Sequence, residues 1–487
     1  MSFSMPLGLA VPTGSLREPM GALLASCGLS MEGYESGSRL LRAEANDRGF
    51  RFRIFRERDI PIQVALGNYD LGICSDVWVA ELQARFPGQR VVRVGALPGA
   101  ETEVWLCAAP TAGIGPGQVP HPESLNGVRL ATELPNLTDL LAARLRLPNY
   151  TLLDLNGSVE AYPPEDADLV VMAVADTAAI ESLGLVPIHR LFRGGVAVVA
   201  NAESLRTRDC SAVIAPLAPA FVPGEVKLTL PTRASNVPLE RLARDTDVLR
   251  LALPDGHAQR HTFAALAEAG IAFDGYGESN FVRRPISSIE GVEVKVVRPQ
   301  DMPTLVAMGA FDIAVSGVDR LREHLAFFPS SPVEMALDLR RSQYRIGPVV
   351  AKDFPAETTQ EALAIWESLG RPVRIASEFP GLAEEWAREH RLSHTAIIPI
   401  AGASEAFVPE DADILIEGTE TGTSLRVNNL RMLDPFLDST NCVIAAKEPR
   451  TSRLDLLDSL LAQLREGVRA AGVEETGPVV RGARGSA

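Results

Sequence analysis

The chain has 487 residues, 46% of them hydrophobic, with 47 Lys and Arg against 62 Asp and Glu and a pI near 5.1. Such acidity excludes a nucleic-acid surface, and no apolar run reaches the ~18 residues that span a bilayer. The length provides for two large units, each expected to bury its own core.

In chain order, Leu7-Gly8-Leu9-Ala10-Val11 is expected as a first strand, because the preceding Met1 to Pro6 lacks the basic region of a signal peptide. Val104 to Ala108, Gly127 to Ala131 and Leu169 to Met172 read as buried strands alternating with amphipathic helices, the pattern of an α/β fold. Ser211 to Pro219 carries two prolines and cannot form an uninterrupted helix. Pro223, Pro231, Pro238 and the charged run from Glu240 to Asp247 mark a linker at 223–247. Leu249 to Leu253 is a strand leading into a helix that includes His261 to Leu266. Leu454, Leu457, Leu461, Leu464 and Val468 share one face of a last helix, with Ser452 and Asp455 as its capping pair. Residues 474–487 lack periodicity and are expected as a disordered tail. The units are therefore placed at 1–222 and 248–473.

Those units repeat each other. Arg56-Glu57-Arg58-Asp59-Ile60-Pro61 and Asp70-Leu71-Gly72-Ile73 return as Arg298-Pro299-Gln300-Asp301-Met302-Pro303 and Asp312-Ile313-Ala314-Val315, 242 residues on (61 to 303, 70 to 312). Ala131-Thr132-Glu133-Leu134-Pro135 returns as Ala376-Ser377-Glu378-Phe379-Pro380, and Pro164-Glu165-Asp166-Ala167-Asp168 returns unchanged as Pro409-Glu410-Asp411-Ala412-Asp413, both 245 residues on (131 to 376, 164 to 409). Matches in one order at a nearly constant offset mean a tandem duplication of a unit of about 230 residues.

Chemistry concentrates at Glu417-Gly418-Thr419-Glu420-Thr421-Gly422-Thr423-Ser424, after the strand-like Asp411 to Ile416 and before Leu425-Arg426-Val427 opens a helix. As a site, this layout aims backbone N–H groups at a phosphate, with Glu417 placed for sugar hydroxyls. As plain structure, it is a Thr-rich turn capping a helix.

Other groups carry less. His257 and His261, and His390 and His394, stand four apart on a helical face, a spacing that can bind a metal, but neither pair has a third ligand close in sequence, so no protein-bound metal is expected. Glu410, Asp411 and Asp413 are expected in an exposed loop, and Asp301 as a helix cap. Cys27, Cys74, Cys107, Cys210 and Cys442 contain no C-x-x-C pair and fit a reducing compartment without structural zinc.

Together the motifs resemble the catalytic portion of the ATP phosphoribosyltransferase family, once per half. The family pattern opens with Lys-Gly-Arg, continues through Arg-x-x-Asp-(Val/Ile)-Pro, Asp-Leu-Gly-Ile, Ala-Thr-x-(Tyr/Phe)-Pro and Leu-Asn-Gly-Ser-Val-Glu, and closes on an acid, three residues, and Thr-Gly-x-Thr-Leu. The first half keeps Ala131 to Leu137 and Leu155-Asn156-Gly157-Ser158-Val159-Glu160, but its closing loop has become Met172 to Ile180, with Asp176 where phosphate would bind. The second half keeps the closing loop, while Leu-Asn-Gly-Ser-Val-Glu has drifted to Ile400-Ala401-Gly402-Ala403-Ser404-Glu405. Both have lost Lys-Gly-Arg, which reads Thr13-Gly14-Ser15 and Asp255-Gly256-His257.

The resemblance implies an α/β fold of two tandem periplasmic-binding-protein-like units, each of two α/β lobes, with ligand at the strand carboxyl ends. It corresponds to a fused pair of the short form of the enzyme. It implies transfer of 5-phosphoribosyl from phosphoribosyl pyrophosphate (PRPP) to ATP, the first step of histidine biosynthesis, with Mg2+ carried on PRPP. PRPP would bind Glu417, Gly418, Thr419, Glu420, Thr421, Gly422, Thr423 and Ser424, Arg298 would act on the reacting phosphates, and Arg39, Arg56 or Arg58 would contribute across the halves. Beyond PRPP and ATP the partners implied are a regulatory subunit or a homo-oligomer, in the cytoplasm, with no nucleic acid and no membrane. The lost basic motif keeps two alternatives open: a non-catalytic nucleotide or phosphosugar binder with a regulatory role, and a transferase with another acceptor.

Overall fold

The structure, a computed structural model, describes residues 6–35, 37–38, 40–44, 50–231, 235 and 237–471. The expected tail at 474–487 lies outside the described residues. Leu7–Pro12 forms β1, buried at every position. Apolar on both faces, it takes an inner place in the sheet. It is flanked in parallel by β3 (Phe50–Phe55) and β4 (Leu71–Ser75), with β2 (Arg42–Glu44) outside β3. Two long strands, β5 (Val91–Ala108) and β9 (Val186–Asn201), carry the chain into a second lobe and back. There β6 (Val128–Thr132), β7 (Tyr150–Asp154) and β8 (Leu169–Val174) complete the unit, and β10 (Lys227–Leu228) adds to β9. One ten-stranded sheet thus runs through both lobes. The strand expected at Val104 to Ala108 is the far end of β5.

The second unit repeats this order with two main differences, an added hairpin and broken crossing strands. After β11 (Leu249–Pro254) comes a hairpin of β12 (Phe273–Tyr276) and β13 (Phe281–Ser287), then β14 (Val292–Val297), β15 (Ile313–Gly317) and β16 (Val333–Asp338). β17 (Tyr344–Ala351), β18 (Val373–Ser377), β19 (Thr395–Pro399), β20 (Ile414–Thr419) and β21 (Leu430–Met432) build the other lobe, with β22 (Leu437–Ser439) on β17. β23 (Asn441–Ala446) returns to the first lobe. Here the crossing strands are broken. Between β16 and β17, Arg340 and Ser342 take φ of 57° and 56°, and Thr440 separates β22 from β23. The lobes consequently hold separate sheets, β14-β11-β15-β23-β16 and β19-β18-β20-β17-β21, with a cleft between them.

The helix after β11 spans His257–Glu268, four residues earlier than His261. The last helix, Leu454–Ala470, buries Leu457, Leu460, Leu461 and Leu464. Its expected cap is corrected: no side chain caps the helix, and the Ser452 hydroxyl instead donates to Thr246 O at 3.0 Å. Gly467 is required where this helix crosses the preceding one, because a Cβ there would stand 2.8 Å from the Ala269 backbone. The matching helix of the first unit, Ser211–Leu217, holds Pro216 and ends after seven residues.

Each unit buries a core of its own, around Leu106 and Leu130 in the first and Leu251 and Leu461 in the second, and two further cores are shared between the units. Phe55 of the first packs on Phe407 of the second at 4.9 Å, in a core holding Leu9, Phe52 and Ile73 together with Val408, Leu415 and Leu425. Tyr162 and Val170 share another with Val297, Phe311 and Ile416. Each lobe completes its core with a lobe of the other unit, so the repeats join as the two copies of an isologous dimer do. The acidic Pro-Glu-Asp-Ala-Asp motifs form this junction, and of the loop expected to be exposed at Glu410 to Asp413 only Glu410 is exposed, while Asp411 is buried and Asp413 half-buried. Tyr69 OH donates to buried Asp411 at 2.6 Å, and Arg53 pairs with Glu410 at 2.6 Å. In the mirrored position Arg250 and Lys295 hold Asp166 at 2.6 and 2.7 Å. The linker is also held, since Arg244 pairs with buried Asp312 at 2.8 Å.

Asp59 and Asp301 make the same crossing. Asp59 accepts from Ala401 N–H at 3.2 Å, and Asp301 from Asn156 Nδ2 at 2.7 Å and its N–H at 3.1 Å. Asp301 makes no side-chain cap to the helix it precedes. Burial pushes both carboxyls up to about 7. Their folded pKa values exceed the unfolded value of about 3.9, so the stability they contribute is complete below pH ~4 and is lost as pH rises through 7. Urea midpoints are expected to fall from pH 5 to pH 8, and an Asp59→Asn/Asp301→Asn variant to show a flatter dependence. An unchanged slope in that variant would contradict the assignment.

Candidate functional site

The loop after β20 is held from within. Gly422 sits in the left-handed region at φ 69°, which lets the chain turn from strand to the helix Thr423–Val427. Gly422 N–H donates to Thr419 Oγ1 at 2.9 Å, so this N–H already has an internal partner. The Thr421 and Thr423 hydroxyls lie 3.0 Å apart. Arg426, which the motif reading passed over, donates to Thr421 O at 2.9 Å and to Thr423 Oγ1 at 3.0 Å, and so fixes the turn while adding a positive charge beside it. At the strand end, Glu417 accepts from Ser404 Oγ at 2.5 Å and from Gly418 N–H at 2.8 Å. Burial, together with the Glu378 carboxylate, pushes its carboxyl up to about 8. A carboxyl poised to lose its proton near neutrality can serve as donor or acceptor to a sugar hydroxyl.

The loop faces a cleft of about 720 Å³ between the lobes of the second unit. Gly418, Thr419, Glu420, Thr421, Thr423 and Ser424 form one wall, and Asp255, His257, Arg298, Asp319 and Arg320 stand on the other. Asp255, in place of a basic residue, pairs with Arg298 at 3.2 Å and Arg283 at 3.0 Å. Arg298 therefore has one face on Asp255, while its buried Nε has no hydrogen-bond partner among the described residues. Asp319 accepts from Ser439 Oγ at 2.7 Å, and Arg320 lies over the Phe379 ring at 4.2 Å.

The retained motifs of the first unit meet this region across the junction. Arg298 lies against Gly157, where a Cβ would stand 3.0 Å from its Nε, and Arg283 pairs with Glu160 at 3.2 Å. In the mirrored place Arg56 lies against Gly402, 2.8 Å from its Cβ position, two residues from the Ser404 that holds Glu417. Arg58 does not cross: it lies over Trp78 at 5.7 Å in its own unit. Arg39 lies outside the described residues. In the first unit's closing loop, Asp176 accepts from Ala179 N–H at 2.9 Å and caps the helix Thr177–Ser182, putting a carboxylate where an anion would sit.

The histidine pairs separate. The helix Pro380–Glu389 ends before His390, which stacks on Trp386 at 4.7 Å, and Arg391 at φ 58° turns His394 away from that face, so the shared face is corrected. His257 and His261 do share a face, and a third group, Glu420, stands beside them, which corrects the expectation of none. Glu420 lies on the phosphate-type loop, more than 150 residues from either histidine, so local spacing could not reveal it.

The chain was compared with families, curated relatives and solved structures. The family described as HisG, ATP phosphoribosyltransferase, matches residues 56–220 and 298–466. An ATP phosphoribosyltransferase of Chlorobium chlorochromatii (strain CaD3) is 31% identical over 208 residues, 42% of this chain and 66% of that relative, just short of two thirds. One of Methanothermobacter thermautotrophicus is 30% identical over 230 residues, 46% of this chain and 74% of the relative. Among solved structures, the HisG:HisZ ATP phosphoribosyl transferase complex of Thermotoga maritima is 22% identical, with a TM-score of 0.37, covering 46% of this chain and 100% of that one.

Proposed function

The chain belongs to the ATP phosphoribosyltransferase family, and from that premise we propose that it transfers the 5-phosphoribosyl group of PRPP to ATP, releasing pyrophosphate, as the first step of histidine biosynthesis. The observation that carries this is the Glu417 to Ser424 loop, which turns at the left-handed Gly422 and lines the cleft of about 720 Å³ with Thr419, Thr421, Thr423 and Ser424. The 5-phosphate rests on Thr421 to Ser424, with Arg426 behind it, and the ribose hydroxyls meet Glu417. An adenine ring nitrogen of ATP attacks the anomeric carbon. A C–N bond forms as the C–O bond to pyrophosphate breaks, and the electron pair leaves on pyrophosphate. Orientation and stabilisation of that separating charge supply the catalysis, so no strong general base is required.

Arg298 and Arg320 line the cleft as cations for the phosphates, and Arg56 reaches the region from the first unit. Mg2+ prefers oxygen donors and keeps much of its own shell. The cleft fits that habit, because its Asp255 and Asp319 carboxylates are engaged with arginines and Ser439, leaving the ion to the oxygens of PRPP. Magnesium there would neutralise charge on the leaving pyrophosphate. On this reading the units span 1–222 and 248–473 with a connection at 223–247, and the chain works in the cytoplasm. Among the described residues no helix is long and apolar enough to cross a membrane. A regulatory subunit or a second copy remains part of the proposal.

The Asp255 bridge to Arg298 favours a second reading, a PRPP-dependent transferase with an acceptor other than ATP. Mass detection of the product decides between them: chain, PRPP and Mg2+ are incubated with ATP, GTP or adenine in turn. ATP carrying one added phosphoribosyl group is expected. An adduct on another acceptor alone would favour the second reading, and PRPP binding with no adduct would make the chain a binder. Arg56→Met is expected to lower the rate by about 10²-fold with little change in folding, and a rate equal to wild type would remove Arg56 from the site.

A further inference from the structure

Neither imidazole of the His257–Glu268 helix has a task in phosphoribosyl transfer as described. We propose that His257, His261 and Glu420 form a binding site for a transition-metal dication of the Zn2+ kind, separate from the magnesium that would travel on PRPP. His257 and His261 stand one turn apart, so both rings project from the same face, with centroids 5.5 Å apart. Glu420 enters from the loop after β20, in the opposite lobe, and its Oε2 lies 3.5 Å from His257 Nε2. One ligand atom from each of the three falls within 4.8 Å of the other two.

Ligand type favours zinc over magnesium or calcium. Two imidazole nitrogens with one carboxylate oxygen is the donor set of three-ligand zinc sites, whereas the hard cations take oxygens. Bonds of about 2.1 Å in tetrahedral geometry place ligand atoms roughly 3.4 Å apart. The His257–Glu420 pair already meets that spacing, and the remaining closure, from at most 4.8 Å, is at most about 1.4 Å. His257 and Glu420 are 60% and 42% exposed at their side chains, so neither is locked against that adjustment. Arg260 Nε donates to His261 Nε2 at 3.3 Å, so the ion takes the other ring nitrogen or displaces an exposed arginine. The fourth position stays open to water.

Such an ion joins the two lobes at the lip of the cleft, since His257 and Glu420 line it from opposite walls. It also brings two positive charges to the place where the family pattern has Lys-Gly-Arg and this chain has Asp255-Gly256-His257. That consequence rests on the transferase reading. The site itself does not.

The test uses the full chain, stripped with a chelator and free of PRPP and ATP. Zn2+ is titrated by calorimetry, and Co2+ by its visible absorption, whose intensity reports four-coordination. One Zn2+ per chain is expected, bound at least tenfold more weakly by His261→Gln and by Glu420→Gln, with the Co2+ band lost in both. His390→Gln, on the separated pair, is expected to bind as wild type does. No stoichiometric ion in the wild type would overturn the site. So would an affinity that neither His261→Gln nor Glu420→Gln changes, or a loss confined to His390→Gln. Circular dichroism of each variant establishes that it is folded.

Discussion

Gly422→Asp is expected to lower ATP-dependent pyrophosphate release by about 10³-fold, with the thermal midpoint shifted by only a few degrees. Gly422 holds φ at 69°, a region that aspartate enters at a lower cost than most side chains. A Cβ there meets only Arg426 Nη1, at 3.2 Å, and an exposed arginine end can move aside. Folding therefore survives. The new carboxylate stands in the proposed phosphate cradle, and like charges about 4 Å apart at an effective dielectric near 20 repel by about 4 kcal/mol, which is close to a thousandfold in rate. It would also draw Arg426 from Thr421 O, loosening the turn. Gly422→Asn, neutral and equally able to hold the turn, is expected to lose far less. Equal losses in both variants would assign the effect to shape and not to charge. The first unit already carries an acid at this point, because Asp176 caps the helix where an anion would sit.

The second large effect concerns the junction. Asp166→Ala is expected to cost on the order of 3–5 kcal/mol of stability at pH 7, read from urea midpoints. Asp166 accepts from Arg250 at 2.6 Å and Lys295 at 2.7 Å, and the side chains of those partners are only 6% and 5% exposed. Removing the acid leaves two cations short of a partner in a low-dielectric place, a larger loss than the pair itself contributed. Burial alone would raise the Asp166 pKa, but Lys295 and Arg250 more than offset it and hold the carboxyl below its ordinary value. Its folded pKa thus lies below the unfolded one, and its contribution, present above pH ~4, is lost as pH falls through the lower value. Arg206→Ala, in an exposed pair with Glu203 at 2.7 Å, is expected within 0.5 kcal/mol of wild type. An Asp166→Ala midpoint indistinguishable from that control would mean that the junction does not hold the units together.

How far the residues announced this arrangement depends on distance along the chain. The repeat was legible because both copies keep short motifs in order at offsets of 242 and 245 (61 to 303, 164 to 409). β11, the helix after it, and the turn after β20 were legible because strand, turn and helix are local there. The Pro-Glu-Asp-Ala-Asp motifs were not. An acidic run before a strand looks solvated until its partners are known, and Asp411 meets Tyr69 342 residues away. Asp301 illustrates the same limit, since the capping position is real while its carboxylate crosses to Asn156, 145 residues back. The uneven decay of the halves has a related reading in space. Gly157 and Glu160, in a motif that the first half retained, face Arg298 and Arg283 of the second half, where the closing loop was retained. What each copy kept borders the same side of the junction.

We propose that the two repeats form one PRPP site, in the second unit and supported by the first. Calorimetric titration of the full chain with PRPP and Mg2+ tests it most directly, with Gly422→Asp and Asp176→Ala alongside. One PRPP per chain is expected, lost in Gly422→Asp and unchanged in Asp176→Ala. Two sites per chain, or binding that survives Gly422→Asp, would contradict it.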